Sequence, residues 1–290
     1  MESTLLPPTP GRPSIDFRQA RDAGGVINTS FEFLRENWRG LLRAVVFIAG
    51  PVVLVVLALQ TLLLSTESFV LNGILSVAQR VIFVTLMQTL IFGYILLYNE
   101  HGRDGVTITD LRSLVASDVG AVFVVIALSM LASIFAGVLL LIPGIYLFVA
   151  TSLSAPVRMA EDSTAGSAIS RSMELVRDHW WQTFGIIVLI LIVAMLLSVI
   201  VQLPAWLLML FSFEALASSA MEGTGVLGVI MTLVDVISVI IASLLIDTAV
   251  AAQYFSLVEH KEGPGMLARI EQIGVTPDDD VAATSSRPTL

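Results

Sequence analysis

The sequence predicts an all-α, polytopic membrane protein with six transmembrane helices in three hairpins, and three observations predict it. The 290 residues are 56% hydrophobic and only 13% charged, where a soluble domain carries roughly a quarter of its residues as charges. Six stretches are apolar over lengths near the ~20 residues needed to cross a hydrocarbon core of ~30 Å. Fourteen of the fifteen Lys and Arg fall in segments that the order of those stretches places on one side, the asymmetry expected of cytoplasmic loops.

Residues 1–14 (MESTLLPPTPGRPS) form a Pro-rich polar tail, expected to be disordered, without the apolar core of a secretory signal. The first spanning helix then has to act as the targeting signal. A surface helix is expected over 16–39. It contains INTSFEFLRENW at 27–38, and the pattern returns as ISRSMELVRDHW at 169–180. Ile27/Ile169, Ser30/Ser172, Glu32/Glu174, Arg35/Arg177 and Trp38/Trp180 are identical, and Glu36/Asp178 are alike. Apolar residues fall at helical spacing in both copies (Ile27, Phe31, Leu34, Trp38 and Ile169, Met173, Val176, Trp180). Each copy therefore reads as an amphipathic helix lying on the membrane surface ahead of a spanning segment.

Spanning helices are expected at 41–64, 74–98, 119–142, 145–157, 184–203 and 226–258. The fourth is short, with Pro143-Gly144 supplying the reversal before it. The sixth exceeds a simple crossing and is expected to tilt or run on past the membrane. Pro204 is expected to break the fifth helix, leaving 205–221 as an outer interfacial helix or re-entrant turn. A brief surface segment at 108–116 precedes the third. Four crossings separate the two copies of the motif, so both lie on one face and the internal repeat is parallel. The chain divides into hairpin units 24–101, 105–160 and 166–260 within a membrane domain of residues 15–275. An acidic tail, 276–290, is expected to be disordered, and both termini are expected to be cytoplasmic.

Several short motifs resemble a known group: Asn37-Trp38, Ile142-Pro143-Gly144-Ile145-Tyr146, Ala155-Pro156-Val157 with Glu161, Ala168-Ile169-Ser170-Arg171-Ser172 with Trp180-Trp181, and the segment 253–259 followed by Gly263 and 270–274. Over residues 15–275 the chain resembles uncharacterised bacterial membrane proteins related to the membrane domain of glycerophosphoryl diester phosphodiesterase, in a subset found in Bacteroidetes-like bacteria. The resemblance implies a six-helix membrane fold. It does not bring the phosphodiesterase activity, because that enzyme works from a separate soluble domain whose clustered His and acidic residues have no counterpart here.

The residues offer little for covalent chemistry. With no cysteine, disulfides, thiolate metal sites and cysteine nucleophiles are excluded. His101, His179 and His260 stand far apart in sequence without metal-ligand spacing, and no phosphate loop, nucleophile elbow or paired carboxylate motif is present. No catalytic, metal or cofactor residues are therefore assigned. The stronger signal is intramembrane charge, since an ionisable group near the bilayer centre costs at least ~2.5–3.5 kcal/mol and faces a partner or a watery cavity. Arg80 and Asp235 lie at matching depths in the second and sixth crossings and form a candidate ion pair. Asp247 is a weaker candidate, and Gln60, Gln88 and Gln202 read as interhelical hydrogen-bonding groups. On the surface helices, Arg35, Arg39, Arg171 and Arg177 are candidate contacts for lipid headgroups, and Trp38, Trp180 and Trp181 fit an interfacial aromatic belt. Glu32 and Glu174 are placed to pair with Arg35 and Arg177 three residues on.

These readings point to a non-catalytic, multi-pass protein of the bacterial inner membrane. Its role would be structural, lipid-interacting or in assembling a membrane complex, with anionic phospholipid, a membrane-protein partner or a second copy of itself as partners and nucleic acid as none. The alternative is a small transporter or channel with its polar site at Arg80 and Asp235.

Overall fold

The computed structural model describes residues 15–63, 69–218 and 224–263. The expectations for tails 1–14 and 276–290 lie outside these residues, as does the end of the 205–221 segment. Every regular element among the described residues is helical: α1 (Ala23–Ala44), α2 (Gly50–Leu63), α3 (Phe69–His101), α4 (Ile108–Leu139), α5 (Leu141–Ala150), α6 (Ser154–Ala160), α7 (Ala165–Arg177), α8 (Trp180–Ser218) and α9 (Thr224–Glu262). Six helical segments are long and apolar enough to cross a membrane: Ala23–Val55, Val70–His101, Ile108–Leu139, Leu141–Ala160, Trp180–Phe211 and Val229–Glu262. The protein is an all-α polytopic membrane protein.

The first helix starts at Ala23, later than the expected residue 16. Asp22 caps α1, its carboxylate accepting from Gly25 N at 2.9 Å. Residues 15–22 are instead a strap laid across the ends of other helices. Ile15 N donates to the Tyr98 hydroxyl at 3.1 Å, and Arg21 N donates to Ser256 Oγ at 2.9 Å. Gln182 Nε2 donates to Arg21 O at 3.2 Å. Phe17 is fully buried, edge-on to Phe33 with ring centroids 5.2 Å apart. Phe33 in turn meets Tyr98 edge-on at 5.2 Å. This aromatic knot joins the strap to α1 and α3.

Proline acts differently at two of its helical sites, Pro51 and Pro204. The surface helix and the first crossing are one helical run, because a π-helical turn, Val45–Ala49, carries α1 into α2. Gly50 N–H reaches back five residues to Val45 O, and the widened turn leaves room for the Pro51 ring, which would clash with the carbonyl four residues before it in a regular helix. Pro204, expected to break its helix, does not: α8 runs through it for 39 residues. Only one backbone hydrogen bond is lost there, and membrane helices tolerate that loss. The 108–116 segment is likewise continuous with the third crossing, as α4.

The α4–α5 reversal turns on Leu140, which is extended (φ −154°, ψ 129°). Pro143 follows in the first turn of α5, where its missing N–H has no intrahelical acceptor to lose. Gly144 is there for proximity: a Cβ on it would lie 2.5 Å from Gly137 Cα and 2.8 Å from Gly137 N. The fourth crossing is itself broken at 151–153, between α5 and α6. Ser172 repairs the break, accepting from Leu153 N at 3.2 Å and donating to Ala150 O at 2.8 Å. Its counterpart Ser30 is equally buried but donates within its own helix, to Val26 O at 2.8 Å. Elsewhere α8 and α9 form a long antiparallel pair, tied by Gln253 to Thr183 at 2.9 Å and by Gln202 to Ser238 at 3.2 Å. Among the described residues, α3 packs mainly on α4 and α9.

Gly144→Ala should destabilise the folded protein by about 1–3 kcal/mol, as overpacking against backbone does. Gly120→Ala, with nothing within 4 Å of the added atom, should be neutral or gain up to ~1 kcal/mol of helix propensity. Thermal unfolding of the two variants in one detergent measures the difference, and equal midpoints would mean that α4 and α5 do not touch at Gly137.

Candidate functional site

The structure does not pair Arg80 with Asp235. Both side chains are exposed, and no ion pair within 4.0 Å joins them. Equivalent depth was the wrong guide because α3 and α9 meet nearer the opposite end. There Phe92 stacks on Phe255 at 5.7 Å and lies edge-on to Tyr254 at 5.8 Å. The intramembrane carboxyl that is buried is Asp247, at 9% exposure, and it too has no ion-pair partner among the described residues. Gln202 does bond across helices, to Ser238, while the Gln60 side chain lies outside the described set.

The charged residues converge at the end of the bundle where α6, α7 and α9 meet. Arg171 on α7 is held by Glu161 Oε2 at 3.4 Å, by Glu174 Oε2 at 3.4 Å and by Glu262 at the end of α9. Tyr254 donates to Glu161 at 3.3 Å. Burial pulls the Arg171 pKa down, but the three carboxylates outweigh it and raise it above its ordinary value. Arg171 is thus a fastener between helices, and little of its charge is left for a lipid. Glu174 pairs with Arg171, three residues before it, and not with Arg177 as its spacing suggested. Glu32 and Arg35 likewise form no ion pair. Lys261 completes the tie, reaching Asp178 Oδ2 at 3.2 Å and the Glu174 carbonyl. Its hydrogen bond holds the Asp178 carboxyl below the ordinary value of 3.8.

The other predicted contacts stay outside. Arg35 and Arg39 are exposed on α1, and the Arg39 guanidinium lies 5.2 Å over the Trp38 ring. Arg177 is exposed beside Asp178 at 3.7 Å, a weak surface pair. Trp38 is 54% and Trp181 77% exposed. Trp180 is the anchored member, stacked between Tyr146 at 5.9 Å and Phe184 at 5.1 Å. Tyr146, Arg177, His179, Trp180 and Trp181 line a groove of about 670 Å³.

Burial also divides the surface helices differently from their hydrophobic stripe. In α1 the buried face is Val26, Thr29, Ser30, Phe33, Asn37 and Leu41, whereas Phe31 and Trp38 point out. In α7 it is Ala168, Ser172, Leu175 and Val176. Phe31 and Trp38, half of the apolar stripe of α1, therefore remain free to meet lipid, whereas no stripe residue of the second copy is exposed. Two features had no sequence signal beyond single residues: His179 stacks on His260 at 5.3 Å, and Arg43 and Arg103 join Arg39 around a second cavity. Sequence separation hid both. Among the described residues, no group of three or more His, Asp or Glu could hold a metal ion.

No family model, curated protein or solved structure matches the chain.

Arg171→Gln should leave three carboxylates facing one another and cost about 1–3 kcal/mol, while Arg177→Gln should stay within ~0.5 kcal/mol, both read by thermal unfolding. The Asp178 carboxyl, depressed in the folded state, contributes stability above its unfolded-state value and loses it as pH falls through the folded one. The unfolding midpoint should drop below about pH 4, and Asp178→Asn should blunt that drop.

Proposed function

We propose that this protein is a non-catalytic component of the bacterial inner membrane that interacts with lipid, serving a structural or complex-assembly role with both termini cytoplasmic. The observation that carries the reading is the pairing of exposed aromatics with exposed arginines on the surface helices. Trp38 and Phe31 stand beside Arg35 and Arg39 on α1, and Trp181 beside Arg177 at the start of α8. Tryptophan prefers the headgroup level, and each arginine adds about 1 kcal/mol of attraction to an anionic surface. The shared burial phase of the two INTSFEFLRENW-like segments supports an internal repeat, which would give two such contacts. Kinship with the phosphodiesterase membrane domain is proposed on the short motifs alone.

The buried Asp247 favours a second reading, transport of a proton or cation past α9. Against it, Asp247 is itself only 9% exposed, and Ser238, between two and three turns away on the same helix, is buried and hydrogen-bonded to Gln202.

Mild extraction of the tagged protein, with mass spectrometry of bound lipids and proteins, tests the first reading. Anionic phospholipid or a stoichiometric partner should be retained, and should fall about tenfold in Arg35→Glu/Arg177→Glu. A bare protein whose liposomes pass cations, with flux abolished by Asp247→Asn, would install transport instead.

A further inference from the structure

The second cavity is built for a charged, hydrogen-bonding ligand. It has a volume of about 340 Å³ and lies between the last turns of α1, Tyr94 of α3 and the turn leading into α4. Such a volume is at the low end of the roughly 300–1,000 Å³ that takes small ligands. Arg39, Arg43 and Arg103 line it against one carboxylate, Glu36. None of the three arginines has an ion-pair partner within 4.0 Å among the described residues. The adjoining N-terminus of α4 is already occupied, since Thr107 caps it and binds Asp110 at 2.6 Å, so the guanidiniums supply the positive charge.

A second, independent feature is the Asn37 amide. Asn37 lines the same cavity and is 2% exposed. Its nitrogen donates to Phe33 O at 3.1 Å, which fixes the orientation of the amide. The Oδ1 acceptor is left buried without a hydrogen-bond partner among the described residues. A buried acceptor in that state calls for a donor, and a phosphodiester, which carries no proton at neutral pH, cannot provide one. The ligand must therefore join an oxyanion, which guanidinium forks bind well, to a hydroxyl or ammonium. One turn further along the same helical run, Leu42, Val46 and Phe47 are exposed. They continue the site as an apolar surface, which suits acyl chains and not a free solute.

We propose that this cavity binds the headgroup of an anionic glycerophospholipid that bears a hydroxyl, the phosphodiester on Arg39, Arg43 and Arg103 and the hydroxyl donating to Asn37 Oδ1. The assignment rests on the lipid-interacting reading and gives it a site, one distinct from the Trp181–Arg177 surface. Phosphatidylglycerol has the required chemistry. Phosphatidylmethanol carries the same phosphodiester charge without a hydroxyl, and phosphatidylcholine lacks both net charge and donor.

Native mass spectrometry of the purified full chain, with each of these three lipids added in turn, tests the proposal. Phosphatidylglycerol should be retained as one molecule per chain, about tenfold over either other lipid. Arg43→Gln/Arg103→Gln should lose that retention about tenfold, and Arg112→Gln, outside the cavity, should keep it. Undiminished retention by Arg43→Gln/Arg103→Gln would overturn the cavity while leaving lipid binding intact. Failure of the wild-type chain to retain any lipid would remove both. Equal retention of phosphatidylmethanol would overturn the role of Asn37, equal retention of phosphatidylcholine the role of charge. Displacement by millimolar inorganic phosphate would make the site one for a free anion.

Discussion

Hydrocarbon tails are as apolar as leucine, so helices that share a membrane cannot be driven together by hiding greasy side chains. They need close backbones and hydrogen bonds, and this chain spends its small and polar residues accordingly. Thr85, Thr89, Ser129, Ser154, Ser172, Thr183, Ser238, Thr248, Gln253 and Ser256 are buried, while Leu54, Phe135, Ile142, Leu196 and Phe211 face outward. Large apolar side chains such as Phe33, Leu90 and Ile91 fill the interior as well, so the departure from a globular protein is in the apolar outer surface. Gly137 against Gly144 is the extreme case of close approach, two backbones touching with no side chain between them.

The same constraint explains why the charged groups gather at one end. Arg171 with its three carboxylates, and Lys261 with Asp178, sit beyond the apolar lengths of the helices. Ions there keep access to water and still cross-link α6, α7 and α9. Fastening at the rim fixes which helix follows which. The apolar surfaces below are left with the task of filling space.

Much of this was legible in advance. Composition and run length gave the six apolar segments, because a bilayer imposes a fixed thickness on any chain that crosses it. The repeated motif marked the two surface helices, but its apolar stripe missed the buried face on which Ser30 and Ser172 lie. Single-residue rules failed where tertiary context decided. Pro204 leaves α8 unbroken and Pro51 is met by a widened turn, two responses to one residue type. Arg80 and Asp235 share a depth but not a neighbourhood, since helices that tilt meet at one end only. Of the arginines on the surface helices, spacing could not tell that Arg171 is consumed by Glu161 and Glu262, partners 10 and 91 residues away. Nor could it show that Asn37 keeps an idle oxygen beside Arg43 and Arg103.

The strap at 15–22 has a consequence for assembly. Its anchors are Tyr98 on α3, Gln182 on α8 and Ser256 on α9, the last 235 residues away along the chain. A ribosome delivers the strap before any of the helices it joins, and its binding place is incomplete until α9 has been inserted. Phe17 must therefore wait outside the bundle through the synthesis of all six membrane segments. Its docking is a late, post-insertional event, and the segment made early acts as the latch that closes the finished protein.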